Sequence, residues 1–212
     1  MSLATLKVKV QKLIDKASIY NAIFKNEPVN LVIPNGVTIV SENIYAPLTI
    51  ESVKGTDVEE ITESFFSMSN IKSVDLPKLK IIGDTSFNDC LFLEELNVPT
   101  VTTIGSNPFY STNNLKKVVF GTLTNVDELA FRQTTRGTGG SIEYLEVGVG
   151  TNADLYLQYS TKYSQAVLHK IIENLANKTG QTAGVFYVGA NNLAKIDEEH
   201  ITMLNQKNWS YQ

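Results

Sequence analysis

One phrase returns three times between Ile71 and Thr134, at a spacing of 22 residues. Ile71-Lys-Ser-Val74-Asp-Leu76-Pro77 comes back as Leu93-Glu-Glu-Leu96-Asn-Val98-Pro99 and again as Leu115-Lys-Lys-Val118-Val-Phe120-Gly121. Behind it, Leu79/Ile82/Phe87 returns as Val101/Ile104/Phe109 and as Leu123/Val126/Phe131. A period of this size specifies a solenoid, because one coil cannot bury its apolar side alone and must stack on its neighbours. Such folds present surfaces rather than pockets, which weighs against an enzyme and toward binding or a structural role.

The trailing signature also runs backward, now at a spacing of 21: Val58/Ile61/Phe66 and Val37/Val40/Tyr45. The leading halves of these coils, Leu31-Val-Ile33-Pro34 and Leu48-Thr-Ile50, fit only after a small register shift. After Phe131 the pattern is broken by the glycine-rich insertion Thr134-Thr-Arg-Gly-Thr-Gly-Gly-Ser141 and resumes as Ile142-Glu-Tyr-Leu145-Glu-Val147-Gly148. The expected count is five full coils and a truncated sixth.

Within each coil, apolar residues alternate with polar ones, as in a short half-buried strand. The Pro or Gly that follows ends the strand and turns the chain. The large aromatic of each coil goes inside, so Tyr45, Phe66, Phe87, Phe109 and Phe131 are expected to stack as one column. Each buried ring contributes roughly 2–3 kcal/mol of transfer free energy.

These motifs resemble the BspA-like class of bacterial leucine-rich repeats, in which a strand ending in Pro is followed by an Ile-Gly turn and an Ala-Phe-x-x-Cys segment. The matching residues are Leu76-Pro77, Ile82-Gly83 and Phe87-x-x-Cys90, then Val98-Pro99, Ile104-Gly105 and Phe109-x-x-Thr112. The likeness covers about residues 29–147. In the third copy Val126-Asp127 replaces Ile-Gly, which implies a turn bent differently. The resemblance implies a leucine-rich-repeat solenoid on a bacterial surface protein, attaching to host or neighbouring-cell molecules.

A solenoid needs a polar-faced cap at each end. Ser164 is placed to N-cap a helix with Leu168, Ile171, Ile172 and Leu175 on one face, and Gly180 to lie beyond its end. Gly184 to Gly189 reads as a strand, Asp197 as the N-cap of a second helix stapled by Ile196 and Ile201, and Trp209-Ser-Tyr211 as a last strand. The stretch Ile171-Ile-Glu-Asn-Leu-Ala, Gly189-Ala-Asn-Asn-Leu-Ala-Lys and Asn208-Trp is similar to the tail module of repeat proteins from gut-bacterial genomes and prophage tail regions. At the other end, Leu3, Leu6, Val10, Leu13 and Ala17 form one stripe on a helix. That helix either caps the first coil or serves self-association as a short coiled coil, for which two heptads are too few on their own. The expected division is 1–27 lead-in, 28–150 solenoid and 151–212 α/β cap.

A net charge of −4 without a basic cluster argues against nucleic acid and anionic membranes as partners, and no apolar run reaches the length of a membrane span. Leu3 to Lys16 is amphipathic rather than a signal sequence, so surface display and release in a phage particle both stay open. The single cysteine, Cys90, stands where Ser69, Thr112 and Thr134 stand in other coils, which marks a buried structural thiol.

No chemistry is expected. His169 and His200 fall on separate helices with no Cys or carboxylate at a trustworthy metal spacing, and Glu198-Glu199-His200 reads as an ordinary first helical turn. Gly148-Val-Gly150-Thr-Asn-Ala153 mimics a dinucleotide fingerprint but follows a repeat strand, and the Gly137/Gly139/Gly140 insertion lacks the Lys of a phosphate loop. Neither a metal nor a nucleotide cofactor is expected, and no Gly-x-Ser-x-Gly elbow supports a hydrolase.

The outward columns of the strands are more informative. One runs Lys72, Glu94, Lys116, Glu143, alternating in charge; the next runs Ser73, Glu95, Lys117, Tyr144; a third runs Asp75, Asn97, Val119, Glu146. They serve register and solubility, or offer a polar face to a protein or glycan partner. Tyr156, Tyr159 and Tyr163, where the solenoid meets the cap, are either aromatic filler or a second recognition patch. The repeats thus point to a non-enzymatic recognition or attachment module, and the two resemblances imply a bacterial surface for it, with a phage tail or baseplate component as the alternative.

Overall fold

The computed structural model describes residues 28–41, 50–133 and 139–212. The expected N-terminal helix, Tyr45 and Thr134 lie outside the described residues.

The alternation of apolar and polar residues becomes two parallel rows of very short strands. The first row is β1 (Val29–Val32), β3 (Ile50–Lys54) and β5 (Ser73–Asp75), then, as a separate sheet, β7 (Glu95–Val98), β9 (Lys117–Phe120) and β11 (Tyr144–Glu146). The second row, on the return side of each coil, is β2 (Ile39–Val40), β4 (Glu60–Ile61), β6 (Ile81–Ile82), β8 (Thr103–Ile104) and β10 (Asn125–Val126). Registers follow the repeat: Leu96 lies beside Val118 and Val118 beside Leu145, all three buried, while Glu95, Lys117 and Tyr144 line up outside. The fold is a leucine-rich-repeat solenoid.

Between the rows, the coils of Phe66, Phe87, Phe109 and Phe131 each make an arc around that ring. Two residues per arc adopt positive φ without being glycine: Ser64 and Met68, Thr85 and Asp89, Asn107 and Ser111. Such backbone costs on the order of 1 kcal/mol or more per residue. It persists because it aims alternate N–H groups at the next coil, as in Thr85 to the Ser106 carbonyl, Phe87 to Pro108 and Asp89 to Tyr110. The last arc, around Phe131, lacks this pair; there the Asp127 carboxylate accepts from the Leu129 N–H at 2.9 Å. The Asp that replaces the glycine of the Ile-Gly turn therefore organises its own arc, in line with the different bend implied for that copy.

The aromatic column forms with one correction. Phe66, Phe87 and Phe109 stack at centroid distances of 5.4 and 6.1 Å, but Phe109 passes to Phe131 through Phe120, a strand residue, at 6.4 and 6.3 Å. Beside the column Ser69, Cys90 and Thr112 form a polar ladder. The Cys90 thiol donates to the Phe66 carbonyl at 3.1 Å, and the Thr112 hydroxyl donates to that of Phe87 at 2.5 Å. The next rung is Gln133, buried, which donates to the Thr112 carbonyl at 2.8 Å and accepts from the N–H groups of Ser141 and Ile142.

The C-terminal segment is an α/β unit: β12 (Leu155–Tyr156), α1 (Gln165–Asn174), β13 (Gly184–Tyr187), α2 (Ala190–Leu193), α3 (Glu198–Gln206) and β14 (Trp209–Tyr211), with the three strands parallel in chain order. Helix α1 packs against β11, and α3 packs against α1, so helices continue the stack that strands began. Ser164 and Asp197 N-cap α1 and α3 through the N–H groups of Val167 and His200. Gly180 does not end α1, which stops at Asn174; the Lys207 ammonium closes that end by donating to the carbonyls of Ile172, Glu173 and Leu175. Among the described residues no helix is long and apolar enough to cross a membrane.

Candidate binding surface

The first strand row breaks between β5 and β7, and the break has a cause in the spacing. Ser69 and Ile71 are two residues apart, whereas Cys90 and Leu93, like Thr112 and Leu115, are three apart. The extra residue turns a 21-residue coil into a 22-residue one at Leu91-Phe92, and the ring of Phe92 is expelled to 51% exposure. In the next coil the same place is filled by Asn114, whose amide donates to the Leu91 carbonyl at 2.6 Å.

Over this break lies an open depression of about 450 Å³, lined by Lys72, Phe92, Glu94, Glu95 and Asn114. The Lys72 ammonium stands 6.0 Å from the Phe92 centroid and 3.1 Å from Glu51. One coil on, Lys117 pairs with Glu95 at 3.3 Å and stands 6.0 Å from the ring of Tyr144, which is 40% exposed. The Tyr144 hydroxyl donates to Glu146 at 2.8 Å, and that bond holds the phenol above its usual pKa. Two aromatic platforms, each beside an ammonium, thus flank a pair of carboxylates. Both contacts lie at the outer reach of a cation–π attraction, and aromatic residues are enriched at interfaces, tyrosine among the hot-spot types.

The columns read from the sequence are positioned as expected, but the charge pairing differs. Glu94, Lys116 and Glu143 sit outside in register, yet among the described residues no ion pair joins them; Lys72 turns to Glu51 and Asp75 to Lys54 at 3.4 Å. Lys72 thus pairs with its register neighbour in the preceding coil and Glu95 with Lys117 one column over, while Glu94 lines the depression.

The tyrosines divide. Tyr163 is corrected: it is 1% exposed, enclosed by the solenoid–cap junction, and burial raises its phenol far above the ordinary range, so it is filler and contacts no partner. Tyr156 lies on β12 beside Tyr187, and Tyr159 lines a separate depression with Tyr187 and Gly189; both are half-buried and belong to the cap rather than to the strand face. Phe92 escaped the sequence reading because it follows no column; the change of period from 21 to 22 was its signal.

A second correction concerns the histidines. Helices α1 and α3 lie side by side, so His169 and His200 stack at 3.6 Å with Asp197 against both. Spacing along the chain could not reveal a cluster made by two elements that meet only in the fold.

The sequence profile of the BspA type leucine rich repeat region matches residues 17–136 in 6 copies, which leaves the cap outside the match. No curated protein and no solved structure matches the chain. The profile spans more than half of the 212 residues, and the parallel short strands, Pro-ended turns and aromatic arcs are its physical counterpart: the chain belongs to the BspA-type leucine-rich repeat proteins, a family generally of non-enzymatic binding modules.

Proposed function

We propose that this chain is a recognition module on a bacterial cell surface that binds a protein or glycan through the strand face around Phe92 and Tyr144. The observation that carries this reading is the pair of exposed rings, each beside a lysine, on either side of Glu94 and Glu95. Among the described residues of the strands, Val32 on the first strand is the other large apolar side chain that is largely exposed, while outward Val119 is half-covered. Sugars place C–H faces on such rings and hydroxyls on such carboxylates, and a protein partner places its own aromatic and arginine anchors there. Shallow depth suits an extended ligand read by surface complementarity rather than a small molecule enclosed in a cavity.

A glycan and host-protein array identifies the ligand class, and the variants Phe92→Ala and Tyr144→Ala locate the site. Each is expected to weaken binding about tenfold or more, the size typical of a hot-spot ring. Both rings are exposed, so melting temperature should hardly change. Full affinity in both variants would remove the strand face as the binding surface.

A further inference from the structure

We propose that His169, Asp197 and His200 form a site for a divalent transition metal of the zinc class, which clips helix α1 to helix α3 and closes the C-terminal end of the solenoid. The ligand atoms of the three residues already lie within 4.8 Å of one another. The Asp197 carboxylate accepts from the His200 ring Nδ1 at 2.7 Å with one oxygen and stands 3.7 Å from His169 Nε2 with the other. Glu173 stands beside this cluster, 3.9 Å from His200 Nε2 through one oxygen while the other pairs with Lys170 at 2.9 Å.

Three features point to a cation rather than to a structural cluster. His169 Nε2 is buried and has no hydrogen-bond partner, although it faces the carboxylate. Both imidazoles are largely sheltered, with side-chain exposures of 16% and 10%, while Asp197 stays open enough for an ion to enter. These are also the 2 histidines of the whole chain, brought together from α1 and α3. The donor set is two imidazoles and a carboxylate, which suits zinc and its neighbours and disfavours calcium or magnesium.

Binding would reshape the cluster modestly. Tetrahedral zinc sets its ligand atoms about 3.4 Å apart, at bond lengths of about 2.0–2.2 Å. The rings are now stacked at 3.6 Å with 13° between planes, so they must fan apart for both lone pairs to meet one ion.

The test uses the full, untagged chain stripped of metal with a chelator. Titration with Zn²⁺ is expected to show one equivalent bound, with melting temperature rising by about 5 °C or more once free ion exceeds the dissociation constant a hundredfold. His169→Ala should abolish the heat and the shift, and so should Asp197→Asn, which keeps an acceptor for the helix cap. Cys90→Ser should leave both intact. Imidazole ¹⁵N resonances report without any substitution, since the chain has only these histidines; both rings should move on adding Zn²⁺. Unmoved resonances in the wild type, or an undiminished thermal shift in His169→Ala, would overturn the site.

Discussion

Phe120 stacks on Phe109 at 6.4 Å with 27° between ring planes, although one belongs to a strand and the other to an arc on the far side of its coil. In the earlier coils the residue equivalent to Phe120 is Leu76 or Val98, and the arc aromatics touch one another directly. The larger side chain at 120 stands between Phe109 and Phe131, so the first strand row is coupled to the aromatic column of the arcs.

This coupling is measurable. Phe109→Ala should cost about 3–5 kcal/mol, and Phe120→Ala a comparable amount, because each opens a cavity in a fully buried stack. The double variant should cost less than the sum, since the second cavity merges with the first. Glu143→Ala, on the outer face, should cost about 0.5 kcal/mol or less. Urea midpoints for the four proteins decide it; equal midpoints for Phe109→Ala and Glu143→Ala would mean that inside and outside have been exchanged.

Much of this was legible in the sequence because the period is local. Val118 and Leu145 face inward for the same reason that Leu96 does, and a repeat states that reason several times. Phe120 was hidden because its type, apolar at an apolar position, fits the pattern while its size does not. Phe92 and the two histidines were hidden for different reasons. Phe92 is displaced by one inserted residue, a feature of spacing rather than of residue type. His169 and His200 meet only because α1 and α3 stack, and that juxtaposition is tertiary. Tyr163 stayed open between filler and recognition patch because an amphipathic side chain at a junction looks the same in sequence whether the junction buries it or not.

Gly105 should be among the least replaceable residues of the solenoid. A Cβ there would lie 2.8 Å from the Asp84 backbone nitrogen and 3.0 Å from the Gly83 carbonyl carbon, distances that only a movement of one coil away from another relieves. Gly180, by contrast, has a φ of +79 and open space around it, so alanine meets only the backbone cost. Gly180→Ala is expected to lose about 1 kcal/mol. Gly105→Ala should lose clearly more, about 2–4 kcal/mol, through strain in neighbouring coils. Thermal midpoints rank the two, and the reverse order would mean that the coils are free to part at the Ile-Gly turn.

Cys90 makes stability depend on pH in a known direction. Burial pushes its thiol up to about 11 from an ordinary 9.0, against a partial pull downward from the Ser69 hydrogen bonds. The folded chain thus holds this proton more tightly than the unfolded chain does. The associated stabilisation is complete below about pH 9 and is lost as pH climbs through about 11. Two units of pKa correspond to about 2–3 kcal/mol. Cys90→Ala removes this dependence while leaving every tyrosine and lysine in place. Its stability should fall less steeply between pH 8 and 11 than that of the wild type, as read from denaturant midpoints; parallel curves would show that the thiol ionises equally in both states.

Lys207 replaces the glycine that usually ends a helix. Its ammonium donates to the Glu173 carbonyl at 2.7 Å, to Leu175 at 2.9 Å and to Ile172 at 3.0 Å, so three carbonyls at the end of α1 share one donor group from the end of α3. Burial lowers the pKa of this amine, outweighing the favourable charge of Glu173, which is what a lysine turned inward toward the backbone should show. Lys207→Met keeps the length and most of the packing but leaves the carbonyls without their donor. The expected loss is about 1–3 kcal/mol, with reduced helical circular dichroism from α1. Salt distinguishes the cause: a loss due only to the charge near the helix dipole would shrink in 1 M NaCl, whereas one due to three short hydrogen bonds would persist. Lys170→Met is the control, because Lys170 bonds only the exposed Glu173 carboxylate. It should be indistinguishable from wild type, and a Lys207→Met variant as stable as that control would mean that solvent serves the end of α1 equally well.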